Sequence, residues 1–435
     1  MSTSHPDDKQ AGNLPSRPPP SSNHTSSSSN NSHGNGTRDR SSRFAPHVRP
    51  PGHRSQRSGH RTSSSSSVSV SVLAVDPIER FKVRCAAYQQ PKEIVCFSYD
   101  EERKLSMGSD DKLSYYCEPD IQSANLSSGF PDRYVMREPV PERLDALLES
   151  MRHVNSRPRD PNTPPLRPAF CTWRGIMTKV LCAPFSRDRW ELGATLHDGT
   201  IYIEEHEKRK DLYGSTDKDK LMSYMGYKFE ALATIPFPPA ELSGPSDPRL
   251  AERDSGTVNT NVQFCSVFKT KIGVNSIVMG AEVDCLLADR KPERDPQSAY
   301  AELKTNRVIT NERQQQSFER HKLLKVWAQS FLPGIPTVIV GYRHDNGRLS
   351  HIERRRTLDI PRSVRGTQPG IWDATVCINF ADAFLTWLKE IVVIDDPDTV
   401  YTIEFDGRAA SLLRVETGAE GPEGPFIPPW YRGQS

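Results

Sequence analysis

The sequence predicts a mixed α/β fold, with twisted β-sheets flanked by helices, on three observations. Short segments of strand length, alternating or continuously apolar, are interleaved with helical patterns along the chain. No segment repeats at a fixed period, which argues against solenoids and propellers. The eight cysteines are widely spaced, without a CxxC pair or a paired Cys/His metal pattern. Reduced thiols, several of them buried, follow, so packing rather than cross-linking must close the core.

The elements follow in order. "SVSVSVLAV" (67–75) alternates and then becomes continuously apolar, marking entry into the fold. "EIVCFSYD" (93–100) and "KLSYYCE" (112–118) read as further short strands. In "PERLDALLESMRHV" (141–154), Leu144, Leu147, Leu148 and Met151 recur at helical spacing, and Pro141 suits a first turn. "WRGIMTKVLCAP" predicts a second helix ending before Pro184. "RWELGATLHDGTIYIEE" (189–205) predicts a hairpin turning at Asp198-Gly199, a dipeptide that tolerates positive φ, and "DNG" (345–347) predicts another. The polar stretch 243–261 reads as a mobile surface excursion. A helix from Asn311, with Gln314 placed for a capping box, runs to Pro333-Gly334, and another from Asp373 presents Cys377, Phe380, Phe384 and Leu388.

Residues 1–66 cannot join a core. Up to Ser67 the only large apolar residues are Met1, Leu14, Phe44 and Val48, too few to offset the entropy of ordering, so the segment is expected to be disordered. It is also basic, with nine Lys or Arg against three acids, which leaves the remainder of the +2 chain near −4. That inverts the simplest nucleic-acid signature, in which the folded part carries the positive charge. An acidic folded part with a basic tail fits a metal-dependent site as well as a solubilising tail on an ordinary domain. The expected organisation is a tail over 1–66, one folded domain over 67–410 and a C-terminal tail over 411–435. The N-terminus has no apolar signal-peptide core and no run approaches the roughly 18 apolar residues that span a bilayer. A soluble intracellular protein with no membrane partner is expected.

Two segments carry the chemistry. In a strand, residues two apart share a face. "GAEVDC" (280–285) therefore aims Glu282 and Asp284 the same way, and "AELKT" (301–305) aims Glu302 and Lys304 together, with Leu303 reversed. "GYKFE" places Glu230 at what reads as a third strand end. Four carboxylates and one ammonium converging on one point would repel unless divalent cations sat among them. Oxygen-only ligands suit Mg²⁺ or Mn²⁺, and a pair of such ions can activate a water and neutralise a leaving oxygen on phosphorus. A lone E-x-K on a strand is more often a solvated ion pair. Here the flanks, "SIVMGAEVDCLLA", are too apolar for an exposed edge, which puts the acids in a cleft.

The spacing of acid, eighteen residues and acid-x-Lys resembles the D...(D/E)xK arrangement of metal-dependent nucleases. A wider ordered set resembles one family, the decapping nucleases that comprise the fungal cofactor of the nuclear 5′-to-3′ exoribonuclease and the animal decapping exoribonuclease. The set is "TWRG" with Arg174, "GYKFE" with Glu230, "AEVDC", "AELKT", "WAQSFL" with Gln329, and "VGYRHDNG", within a likeness running from about Asp76 to about Asp406. The resemblance implies two metal ions held by Glu230, Asp284, Glu302 and the Leu303 carbonyl, with Glu282 acting directly or through water. It implies that Lys304 and Gln329 meet the scissile phosphate and that Arg174 binds RNA phosphate, although an arginine beside Trp173 can equally stack or cap. On the helix carrying Gln329, Lys322 and Lys325 lie at i−7 and i−4, a face suited to an anionic ligand.

The implied chemistry is hydrolysis within the 5′ end of RNA: pyrophosphate release from triphosphate ends, and removal of unmethylated caps and of NAD caps. Two other classes stay open, a binding protein with a vestigial metal site and a DNA-directed nuclease with the same core. A serine or cysteine hydrolase is disfavoured, since neither a GxSxG elbow nor a Cys/His signature is present. The resemblance also implies a nuclear heterodimer with the large exoribonuclease. "ATIPFPPAEL" (233–242), apolar and proline-rich, is the candidate partner patch. Charging Phe237 is expected to weaken co-purification of the exoribonuclease while sparing RNA hydrolysis; undiminished co-purification would remove this loop from the interface.

Overall fold

The computed structural model describes residues 71–138, 140, 143–158, 164–206, 216–367, 371–407, 412–418 and 424–433. The expected N-terminal tail, 1–66, and Pro141 lie outside these residues. The chain begins with strands β1 (Ser71–Ala74), β2 (Tyr88–Tyr99), β3 (Leu105–Met107), β4 (Tyr115–Tyr116) and β5 (Tyr134–Val135), followed by helix α1 (Asp145–Ser156). Next come β6 (Phe170–Trp173), α2 (Arg174–Cys182), the hairpin of β7 (Trp190–His197) and β8 (Thr200–Glu205), α3 (Asp217–Leu232) and β9 (Thr234–Ile235). Then follow α4 (Pro248–Ser255), β10 (Val258–Asn259), β11 (Gln263–Ile272), β12 (Asn275–Glu282), β13 (Cys285–Leu286) and β14 (Tyr300–Arg307). The last elements are α5 (Glu312–Ser317), α6 (Leu323–Phe331), β15 (Thr337–Arg343), β16 (Leu349–Arg356), α7 (Ile360–Thr367), α8 (Ala374–Ile391), β17 (Val400–Phe405) and β18 (Leu412–Gly418).

Two sheets carry the fold. The larger has ten strands in the order β1-β18-β17-β7-β8-β6-β12-β11-β2-β3, and the smaller has six in the order β16-β15-β14-β13-β4-β9. Both are mixed: β6 runs parallel to β8 and β12, and β14 runs parallel to β15, within otherwise largely antiparallel neighbours. Side chains of α2, α6 and α8 share one buried cluster with Ile203 and Met279 of the large sheet and Val338 and Val340 of the small one. Those helices therefore fill the space between the sheets, which is why they are apolar over so much of their surface. Leu147, Leu148 and Met151 of α1 pack on the other face of the large sheet, with Val267, Val278 and Tyr202. Met225, Phe229 and Leu232 of α3 pack on the outer face of the small sheet, against Ala301, Leu303 and Ile339.

Local signals explain most elements. Asp198 (φ 51°) and Gly199 (φ 74°) form the β7–β8 turn, and Gly347 (φ 84°) closes the β15–β16 turn. Asn311 caps α5, its side chain accepting from Gln314 N at 3.0 Å, and Asp373 caps α8, accepting from Thr375 N at 2.7 Å. Between α5 and α6 the helix widens into one π turn, Phe318–Lys322. All eight cysteines are free thiols, six of them buried.

Three expectations are corrected. "GYKFE" is not a strand end: Glu230 lies in the last turns of α3, whose start is fixed by a capping box between Thr216 and Asp219. The stretch 243–261 is not an unstructured excursion, since it contains α4, capped by Asp247, and β10, which pairs with β5. The segment 411–435 is not simply a tail: β18 pairs with both β1 and β17, and Phe426 and Ile427 are buried. Among the described residues no helix is long and apolar enough to cross a membrane.

Candidate active site

The site forms where the chain passes from one sheet to the other. β12 ends at Glu282 in the large sheet, and after two intervening residues β13 begins at Cys285 in the small one. Val283 is held at this crossing by its N–H, which donates to the Phe264 carbonyl at 3.0 Å, and its side chain is buried with Phe264, Leu286 and Tyr300. Asp284, next in sequence, accepts from Leu303 N through Oδ2 at 2.6 Å, tying the crossing to β14. Glu230 comes from α3, and Arg174 begins α2 immediately after β6.

These side chains meet. Lys304 Nζ lies 2.5 Å from Glu302 Oε1 and 3.9 Å from Asp284 Oδ2, and it donates to the Leu303 carbonyl at 3.1 Å. Arg174 is buried, with Nη1 3.7 Å from Glu302 Oε1 and Nη2 3.4 Å from the Glu282 carbonyl. Glu230, Glu282, Asp284 and Glu302 all act on one another electrostatically, so the structure brings together six of the predicted site side chains. The guanidinium thus faces the acids instead of merely stacking on Trp173.

The balance of charge is uneven. Burial, then the Glu302 charge, pushes Asp284 up to about 7. Burial and Asp284 raise Glu230 well above the usual carboxylate range, and burial raises Glu282 against the opposing pull of Arg174. Glu302 goes the other way: burial alone would raise it, but Lys304 and Arg174 together hold it below its ordinary value. Burial alone would lower Lys304, yet Glu302, Asp284 and Glu230 raise it, so it stays an ammonium. Two cations stand against four acids, and three of those acids retain protons more strongly than usual.

This donor set fits hard divalent cations. Every side-chain donor is oxygen, and Glu302 Oε2 is buried without a hydrogen-bond partner. As the side chains stand, no group of three or more His, Cys, Asp or Glu among the described residues is arranged to hold an ion. The Lys304 ammonium sits on Glu302 and near Asp284.

Gln329 is half-buried on α6, and no hydrogen bond among the described residues ties it to the acids. The helical face expected from Lys322, Lys325 and Gln329 is not kept. The π turn shifts Lys322 onto β14, where Nζ donates to the Thr305 carbonyl at 2.5 Å, and Lys325 pairs with Asp188 at 2.6 Å. Two neighbours of the acids escaped the sequence reading. Tyr227 is half exposed, and burial of its phenol with Glu282 and Glu230 pushes it up to about 12. Its i, i+3 relation to Glu230 would have revealed it on a helical reading. Arg137, which acts on Glu282 and Tyr227, lies in no recognisable pattern.

With this geometry established, the comparisons are specific. The RAI1-like PD-(D/E)XK nuclease family matches residues 89–432. The decapping nuclease RAI1 of Neurospora crassa is 36% identical over 365 residues, 82% of this chain and 85% of that protein. The decapping and exoribonuclease protein of Rattus norvegicus is 38% identical over 354 residues, 79% of this chain and 85% of that protein. A crystal structure of Candida albicans Rai1 with pU5 and Mn²⁺ has a TM-score of 0.72 at 27% identity, covering 84% of this chain and 98% of that one. Scheffersomyces stipitis Rai1 with (3′-NADP)⁺ and calcium has a TM-score of 0.66 at 29% identity, covering 77% and 92%.

The raised carboxyls set a pH dependence. An unfolded aspartate titrates near 3.9, so between about pH 4 and 7 folded Asp284 holds a proton that the unfolded chain has lost. Stability from this group is complete below the unfolded pKa and lost as pH rises through the folded one; Glu230 and Glu282 act with the same sign. Glu302 opposes them, its contribution being lost only as pH falls through its depressed value. Thermal melts in chelator should show Tm falling from pH 5 to 7.5, a smaller fall for Asp284→Asn, and a larger gain from Mn²⁺ at pH 8 than at pH 5.

Proposed function

The chain belongs to the RAI1-like PD-(D/E)XK nuclease family, and from that premise we propose that it is a divalent-metal-dependent hydrolase of RNA 5′ ends. The observation that carries this reading is the surplus of buried carboxylate around Glu302 and Lys304, with Arg174 beside it. The pU5 and Mn²⁺ of the Candida protein and the dinucleotide and calcium of the Scheffersomyces protein support it. The finer reading rests on the sequence resemblance. Two ions, Mg²⁺ or Mn²⁺, serve the reaction; substrates are triphosphate ends, unmethylated caps and NAD caps; and the protein acts in the nucleus as partner of the 5′-to-3′ exoribonuclease.

The residues divide the work. Glu230, Asp284, Glu302 and the Leu303 carbonyl would hold the ions, with Glu282 acting directly or through water. Bound there, divalent ions supply an activated water and neutralise charge on the leaving oxygen. Lys304, kept protonated by its acidic neighbours, would donate to a non-bridging oxygen of the scissile phosphate and so make its phosphorus more electrophilic. Arg174 Nη1, buried and without a hydrogen-bond partner, has donor capacity left for a phosphate oxygen. Gln329, with one amide donor group and one acceptor, can orient the attacking water.

Purified protein should be incubated with triphosphorylated, unmethylated-cap, methylated-cap and NAD-capped RNA, in Mg²⁺, Mn²⁺ or chelator. The expected result is metal-dependent release from the triphosphate or the unmethylated-cap RNA, lost in Asp284→Ala and Glu302→Ala. Equal turnover in chelator would overturn the metal mechanism, and cleavage of single-stranded DNA with equal efficiency would favour the DNA-directed class.

A further inference from the structure

Beside the acidic cluster lie two cations that make no ion pair with an acid among the described residues. Lys322 Nζ donates to the Thr305 carbonyl at 2.5 Å and to Asn306 Oδ1 at 3.1 Å, both neutral acceptors. Arg343 is buried: one guanidinium nitrogen donates to the His344 carbonyl at 3.3 Å, another lies 3.0 Å from Met222 Sδ, and Nε has no hydrogen-bond partner. Asp345, the acid that acts on Arg343, is itself paired with Arg307. Lys322 is exposed at its surface; local desolvation, with the nearby charges of Arg343 and Lys304 adding to it, lowers its pKa, so an anion there would meet an excess of positive charge.

The strand register says where that anion runs. β13 pairs only with Tyr300 and Ala301, so from Leu303 onward the edge of β14 that faces away from β15 is open. Along it, Leu303 N meets Asp284, the Leu303 carbonyl meets Lys304, and the Thr305 carbonyl meets Lys322. Two residues of strand advance about 6.6 Å, a step that one nucleotide of an extended chain can span. The π turn that ends at Lys322 is what carries the side chain to this edge, and such turns are rare and recur at functional sites.

We propose that Lys322, backed by the charge of Arg343, is a second phosphate subsite, taking the phosphate adjacent to the one held at Lys304. This rests on the reading of the cleft as an RNA 5′-end site. The adjacent phosphate belongs either to the RNA chain or to the 5′ leaving group, and the two sources separate in the test.

Binding of a labelled 5′-phosphorylated oligoribonucleotide, and competition by GTP, should be followed against salt for the wild type, Lys322→Gln, Lys322→Met and Lys322→Arg. Melting temperatures identify any variant that fails to fold. The neutral variants should bind five- to tenfold more weakly, and the slope of log K against log salt should flatten by about 0.7, the loss of one single-strand phosphate contact. Lys322→Arg should restore both, and in turnover KM should rise with a smaller change in kcat. An effect on the oligoribonucleotide alone assigns the subsite to the RNA chain, and an equal effect on GTP assigns it to the leaving group. A folded neutral variant with unchanged affinity and salt slope for both ligands would overturn the proposal. Absence of metal-dependent cleavage by the wild type would instead overturn the assigned activity, while the binding comparison still decides the subsite.

Discussion

Four carboxylates converge where the two sheets part, and Lys304 and Arg174, with Arg137 acting on Glu282, offset only part of their charge. Burying like charges together is costly in any fold, so the surrounding structure must hold them there against their repulsion. It does so with backbone: Asp284 is bound by the Leu303 N–H at 2.6 Å, and Val283 is pinned to Phe264. What remains of the repulsion is stored as raised proton affinity on Asp284, Glu230 and Glu282. A divalent cation can discharge that store, and a proton does so only in part.

The layering serves this point. Helices α2, α6 and α8 fill the space between the sheets, and the chain crosses from one to the other between Glu282 and Cys285. Helix α3 closes the outer face of β14 through Phe229, and Glu230, the next residue, enters the cluster. Gly341 is part of the same fit, because a side chain there would meet the Phe229 ring at 2.5 Å. Lys304 neutralises part of this charge by pairing with Glu302.

Much of this was legible in the sequence because period-two patterns on strands are unambiguous when both flanks are apolar. Glu302 and Lys304 share β14 as alternation expects, whereas Asp284 lies just past the end of β12, in the crossing between the sheets, which alternation does not show; the turns at Asp198-Gly199 and Asn346-Gly347 follow from residue chemistry. Glu230 was assigned to the wrong element because "GYKF" fits alternation over four residues, whereas Met225, Phe229 and Leu232 show the helix only over a longer window. The strand Leu412–Gly418 was missed for a different reason. One of its partners, β1, lies at the opposite end of the domain in sequence, and local pattern carries no record of that pairing. The π turn at Lys322 likewise has no local signature, so the helical face drawn through Lys322 and Gln329 was out of register.

A divalent cation entering this over-charged carboxylate cluster is expected to displace the protons that Asp284 holds near neutral pH. Calorimetric titration of Mn²⁺ into the metal-free protein, repeated in buffers of different ionisation enthalpy between pH 6 and 8.5, measures this directly. The account predicts net proton release at pH 6 that declines toward zero above pH 8, and weaker binding with reduced release for Asp284→Asn. Binding with no proton release at any pH, or undiminished binding by Asp284→Asn, would contradict it.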